Sequence, residues 1–372
     1  MRERKIMLMY ISQVSGHRYA TLAVEKALKV LDKNARILNI NIFHHTSPIS
    51  EKIVNFLYMA VIKKMPWLWD YMYDNLKVKK KIDILKKIVH RINYPKLKRL
   101  FEKFMPEVIV CSQAYPCGLV ADYKKYFKTN FKLVAVLTDF VPHAYWIYDT
   151  VDYYIAPSEE IKEKLVKKGV REEKIKVFGI PISPKFSVRY DKYHLRKTLG
   201  FKEDIFTVLI MGGGQGLGPL DKIIEYLDRL DLELQIILVT GINKKLFGKI
   251  NKKIFSFKQK IKLLGFTGNI EKLMAMADLI ITKPGGITTA EALSQGLPML
   301  IINPLPGQEM NNMRYLIRNG VALEVKKIED IGKAIKEFFC DRGKLKTMSE
   351  KARAISHPNS SLEIAEFILS NT

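Results

Sequence analysis

Twice along the chain a short apolar run breaks into a glycine-bearing turn and then into a helical stretch. The first is "RKIMLMYISQVSGHRYATLAVEKAL" and the second "IFTVLIMGGGQGLGPLDKIIEYLDRL". A strand that turns at once into a helix belongs to a parallel sheet, because the helix carries the chain back so that the next strand runs the same way. Each unit is followed by more of the same. Strands are expected in "ARILNINIF", "EVIVCSQ", "KLVAVLTD" and "DYYIAPS", then in "QIILVTG", "IKLLGF", "DLIITK" and "PMLIINP". A chain of 372 residues is long for one core. Pro181 and Pro184 in "GIPISPKFSVRYD" mark a linker. The expected fold class is therefore α/β: two Rossmann-like domains in series, 1–185 and 186–356, facing a central cleft. A terminal helix in 357–372 either stays with the second domain or returns to the first.

The turn "MGGGQGLG" holds five glycines between Gly212 and Gly218. Each costs conformational entropy, so such a run needs a reason. Glycines at a strand-to-helix turn let backbone N–H groups and a helix N-terminus approach an anion, as phosphate sites require. A tight packed turn is the plainer alternative, and one glycine would serve it. The spacing is not G-x-G-x-x-G, and "QIILVTG" does not end in an acid for an NAD ribose, which disfavours a dinucleotide oxidoreductase. A second turn, "TKPGGITTAEAL", places Gly285 and Gly286 before Thr288 and Thr289. Its Glu291 suits a ribose diol, since a carboxylate accepts two hydroxyl donors; Thr288-x-x-Glu291 reads equally as a helix capping box. In a third loop, "NPLPGQEMNNMRYL", Gln308, Glu309 and Asn312 offer polar groups suited to sugar hydroxyls.

These stretches resemble the C-terminal half of GT-B glycosyltransferases that use UDP-sugars. The likeness is nearest to the monogalactosyldiacylglycerol synthases and bacterial diacylglycerol glucosyltransferases, through "MGGGQGLGPL", "GFTGNIEKLMAMADLIITKPGGITTAEAL" and "GLPMLIINPLPGQEMNN". In the first half "SGHRYATLAVEKAL" and "LTDFVPHAYWIYDTVDYYIAPSEEIKEKL" are similar to the same group. The resemblance implies that Gly212, Gly213, Gly214, Gln215, Gly216, Gly285, Gly286, Thr288 and Thr289 hold a diphosphate. It implies Phe266 and Thr267 at uracil, Glu291 at ribose, and Gln308 and Glu309 at the donor sugar. His17 matches the proposed catalytic base, behind a loop (Gln13, Val14, Ser15, Gly16) with less glycine than is usual there.

Chemistry asks for a base at the acceptor hydroxyl and positive charge at the leaving diphosphate. At a helix N-terminus the dipole disfavours protonated His17, leaving a neutral base. Asp139 and His143, in "TDFVPHAYW", follow another strand of the first domain and are expected, with Gly16 and Trp146, to orient the acceptor. No D-x-D pair occurs. No cofactor and no catalytic metal are expected, the UDP-sugar being a substrate.

The net charge is +24, which fits nucleic acid, an anionic membrane face or phosphorylated substrates. Residues 77–103 hold eleven Lys and Arg against two acids, and "NFLYMAVIKKMPWLWDYMYD" before them carries six aromatics. Trp67, Trp69, Lys79, Lys80 and Lys81 are expected at a bilayer interface, where aromatic belts meet basic clusters; a solvated basic face is the plainer alternative. No apolar run reaches the roughly 18–20 residues of a membrane span, and Cys111, Cys117 and Cys340 lack disulfide or metal spacing. The expectation is an inverting enzyme on the cytoplasmic face of the membrane that moves glucose or galactose from a UDP-sugar to diacylglycerol, with no nucleic-acid partner. Alternatives are a UDP-N-acetylglucosamine transferase acting on a cell-wall lipid, a UDP-sugar 2-epimerase, and a non-enzymatic basic binding protein.

Overall fold

The computed structural model describes residues 3–12, 15–46 and 76–372. It divides into two compact units: Met1–Pro184 with Leu305–Gln308 and Asn359–Thr372, and Lys185–Pro304 with Glu309–Pro358. Each unit is built on one parallel sheet of six strands.

In the first unit the strands are β1 (Lys5–Tyr10), β2 (Arg36–Asn41), β3 (Val108–Cys111), β4 (Lys132–Val136), β5 (Tyr153–Ala156) and β6 (Ile175–Val177), in spatial order β2-β1-β3-β4-β5-β6. In the second they are β7 (Phe206–Met211), β8 (Leu234–Val239), β9 (Lys260–Leu264), β10 (Leu279–Thr282), β11 (Met299–Ile302) and β12 (Ala322–Val325), in order β12-β11-β10-β7-β8-β9. Helices on both faces explain why the central strands are buried throughout: all six residues of β7 and of β8 are buried.

The two strands not anticipated, β6 and β12, are both sheet edges of only three and four residues. Lys176 and Glu324 interrupt them, and such short segments carry no readable period. Pro219 is the N-cap of the helix Leu220–Asp228.

The last helix, Ser360–Ser370, belongs to the first unit, where Ile364, Ala365 and Ile368 join a core with Val24, Ala27 and Leu28 of the helix Gly16–Leu31. It is tied there by Ile182 N–H, which donates to Ser360 Oγ at 3.2 Å, and by Tyr153 Oη, which donates to Asn371 Oδ1 at 3.1 Å.

Candidate active site

Open parallel sheets bind ligands beyond the carboxyl ends of their strands, where the strand order reverses. In the first unit that reversal lies between β1 and β3. His17 stands there, in the first turn of the helix Gly16–Leu31, whose N-cap Ser15 accepts from Arg18 N–H. Its Nδ1 is 2.9 Å from the Ser112 carbonyl oxygen just after β3, and 3.0 Å from Thr138 Oγ1 just after β4. A carbonyl oxygen only accepts, so Nδ1 carries the ring proton and Nε2 keeps a lone pair. Surrounding protein lowers the imidazole from 6.5 to about 4, with burial the leading cause and the Ser112 bond working against it. The charged form was expected to be disfavoured by the helix dipole; the direction holds, and desolvation supplies it.

Thr138 and Ser112, which fix the tautomer, were not singled out in the sequence, because they follow different strands and meet His17 only through the sheet. Asp139 follows Thr138 and is half-buried, whereas Gly16 is exposed. Trp146 lies in the core at 4% exposure, its ring 5.9 Å from that of His143, so it supports His143 from within.

In the second unit the order reverses between β7 and β10, and the turns that follow these strands are the two glycine turns. Register pairs Met211 with Thr282, whose Oγ1 donates to the Met211 carbonyl at 2.8 Å. Part of the first turn is glycine because the fold leaves no room. A Cβ on Gly212 would lie 1.9 Å from the Leu217 carbonyl oxygen, and one on Gly216, at φ +61°, would lie 2.0 Å from that of Thr240. The loop after β8 thus becomes part of the rim, with Ile242 N–H donating to the Gly214 carbonyl at 3.0 Å. Thr240 and Gly241 were missed as site residues, although a glycine closing the strand "QIILVTG" was the available signal. Next along the rim come Thr267 and Phe266, whose ring is 58% exposed.

The second turn differs. Gly285 is the N-cap of the helix Gly286–Ser294, has an ordinary φ of −68°, and makes no side-chain cap bond. A Cβ there would meet nothing within 4 Å. This helix start therefore has no side-chain cap and has room beside Gly285, as an anion seat requires. Gly285→Ala should leave thermal stability almost unchanged yet weaken UDP binding by about tenfold, as a methyl beside a seated phosphate would. Calorimetric titration with UDP checks this, and unchanged affinity would remove the turn from the site.

The structure also rules out one reading of Thr288. It is the third residue of the helix rather than its N-cap, so the capping box with Glu291 does not form. Thr289 Oγ1 donates to the Gly286 carbonyl at 2.9 Å. Burial, with the Glu271 carboxylate second, raises Glu291 from 4.5 to about 8. Asn312, expected to face sugar hydroxyls, is fully buried, and its amide donates to the Pro284 carbonyl at 3.0 Å, bracing the turn. Glu309 pairs with the nearly buried Lys283, Oε1 to Nζ 2.9 Å. Lys283 was also missed; it places a cation one residue before Pro284 and the uncapped helix end. Gln308 opens the helix Gln308–Arg318.

Trp67 and Trp69 lie outside the described residues, and Lys79, Lys80 and Lys81 are described only in the backbone of the helix Leu76–Phe104. Among the described residues no helix is long and apolar enough to cross a membrane.

Solved structures share this pair of domains. MurG from Acinetobacter baumannii superposes with a TM-score of 0.65 over 99% of both chains at 14% identity. MnaA from S. aureus, solved with UDP, gives 0.62 over 99% of this chain and 98% of its own, at 15% identity. The fold is that of the two-domain GT-B glycosyltransferases.

Family models then divide the chain between them, monogalactosyldiacylglycerol (MGDG) synthase matching residues 17–182 and the glycosyltransferase family 28 C-terminal domain residues 207–364. The chain belongs to the glycosyltransferase family of the monogalactosyldiacylglycerol synthases and the bacterial diacylglycerol glucosyltransferases. It is 28% identical to the processive diacylglycerol beta-glucosyltransferase of Bacillus pumilus over 98% of this chain and 94% of that one. It is also 28% identical to the chloroplastic monogalactosyldiacylglycerol synthase of Spinacia oleracea, over 97% of this chain and 71% of that one.

Proposed function

We propose that the protein transfers a hexose, glucose or galactose, from its UDP-sugar to the 3-hydroxyl of diacylglycerol at the cytoplasmic face of a membrane. Near end-to-end similarity to a processive diacylglycerol beta-glucosyltransferase carries this reading. In the reaction the acceptor oxygen bonds to the anomeric carbon while the bond from that carbon to the UDP oxygen breaks. His17 Nε2 takes the hydroxyl proton. The uncapped helix end at Gly286 and the Lys283 ammonium meet the negative charge gathering on the leaving diphosphate. Asp139 and His143 orient the acceptor, and Phe266, Thr267 and Glu291 hold the nucleoside.

One base and a single displacement invert the anomeric centre, so an α-linked UDP-hexose should give a β-glycoside. Protein incubated with UDP-glucose or UDP-galactose and diacylglycerol micelles should release UDP only when the lipid is present. The anomeric proton coupling of the product reads the stereochemistry. An α-linked product would discard the single-displacement scheme, and lipid-independent release would discard the acceptor.

Membrane delivery has support on the described part of the helix Leu76–Phe104, where Ile88, Val89 and Ile92 are 51%, 38% and 70% exposed. Beside them the Arg91 guanidinium lies 5.9 Å from the ring centre of the exposed Tyr126. Apolar side chains beside cations suit an anionic interface, where each basic residue near the surface contributes about 1 kcal/mol. Co-sedimentation with anionic vesicles should therefore fall as the Debye length shrinks from ~10 Å at 0.1 M salt to ~3 Å at 1 M. Ile88→Ser with Ile92→Ser should weaken binding at low salt as well. Salt-independent association would contradict the proposal.

A further inference from the structure

The second unit has a cavity of about 860 Å³ that includes none of the donor turns. It is bordered by Ala277 and Asp278, just before β10, and by Leu297 and Pro298, just before β11. It therefore sits at the amino ends of the strands, whereas the glycine turns follow the carboxyl ends of β7 and β10. Asp278 is the one acid in its lining, and that carboxylate is already committed. Oδ1 pairs with Lys192, and Oδ2 accepts from Arg196 Nη2 at 2.6 Å and from Thr207 N–H at 2.7 Å. Arg189, Arg342 and Arg353 also line the cavity, and among the described residues none has a carboxylate partner.

Two of these exposed guanidiniums lie against other groups of the protein. Arg342 lies against two aromatic rings, its Cζ 5.0 Å from the centre of Phe206 and 4.8 Å from that of Phe339. Arg353 occupies space that any other residue at position 296 would fill, since a Cβ on Gly296 would lie 2.6 Å from its Nε and 2.8 Å from its Cζ. Long cationic side chains on a surface are normally mobile, and fixing them costs entropy that a partner must offset. Guanidinium forks match the paired oxygens of a phosphate, and the Ser349 hydroxyl in the same lining adds a further donor.

We propose that this cavity is a second anion site of the protein, separate from the donor site, which takes a phosphate-bearing ligand on the arginines of its lining, Arg189, Arg342 and Arg353. The chemistry is common to a soluble di- or polyphosphate and to a phospholipid headgroup, and two probes separate these sources.

The test follows the arginine Nε–H resonances of the full chain by NMR during titration with inorganic pyrophosphate. These signals report on the cavity whatever happens at the donor turns. The Arg189, Arg342 and Arg353 resonances, assigned by single Arg→Gln variants, should shift saturably. In R342Q/R353Q the Arg189 shift should need about tenfold or more pyrophosphate, while UDP affinity and melting temperature stay at wild-type values. The single variants R342Q and R353Q should each weaken the response in the same direction, and their melting temperatures guard against a fold defect in the double variant. Displacement of pyrophosphate by phosphatidylglycerol vesicles, but not by phosphatidylcholine vesicles, would assign the site to a lipid headgroup; no displacement by either would assign it to a soluble phosphate. Resonances that stay fixed, or an Arg189 response unchanged in the double variant, would overturn the proposal.

Discussion

His17→Ala should lower turnover by roughly 10²–10⁴-fold, the ordinary worth of a general base, while leaving UDP affinity within about twofold of wild type. The base and the glycine turns stand on different sheets, so removing the imidazole touches no donor contact in the second unit. The pH profile gives a second readout. The unliganded imidazole titrates at about 4 rather than 6.5, with burial the leading cause. The profile of kcat/KM should therefore stay flat through pH 6 and fall only near pH 4. Stability follows the same group. Its contribution is complete above the unfolded value of 6.5 and is lost as pH falls toward the folded value, because the unfolded chain takes up the proton first. His17→Gln should flatten that loss, which amounts to about 3 kcal/mol for a shift of this size. An acid limb at pH 6.5, or a His17→Ala enzyme of normal turnover, would remove the residue from the mechanism.

Glu291→Gln should stabilise the unliganded protein and at the same time weaken UDP binding by about 10–100-fold, the worth of a charged hydrogen bond. Burial raises this carboxyl to about 8. A folded-state value above the unfolded one means stability is full below pH 4.5 and is lost as pH rises toward 8, because only the unfolded chain ionises freely there. At pH 7 the cost is about 3 kcal/mol, and glutamine does not incur it. The ribose diol donates, so the bound form needs the carboxylate. Wild-type affinity should accordingly improve about tenfold between pH 7 and pH 9, and the variant should lose that dependence. Thermal melts and UDP titrations across this range decide the matter. A destabilised variant with wild-type affinity would return Glu291 to a structural role in its helix.

Ten of the strands were legible in the sequence because each is an apolar run closed by turn residues, and the parallel class followed from their alternation with helices. Both glycine turns were legible for the same reason. The meaning of their individual glycines was not: Gly212 and Gly216 answer to backbone carbonyls of Leu217 and Thr240, whereas a Cβ on Gly285 would meet nothing within 4 Å among the described residues. The Thr288–Glu291 spacing fitted a capping box, and only the observed start of the helix at Gly286 ruled that out.

The sequence by itself determined two α/β units, the anion-ready turns and the histidine at a helix start, because these rest on residue type and local spacing. Tertiary structure alone set β10 beside β7, so that turns some seventy residues apart share one rim. It also brought the Ser112 carbonyl and Thr138 to His17 Nδ1, leaving Nε2 as the basic atom. It desolvated the Glu291 carboxyl, and it turned Asn312 inward to brace a turn rather than outward toward a sugar. Strand order and burial are properties of the closed core, and no local spacing encodes which distant loops a parallel sheet will make neighbours.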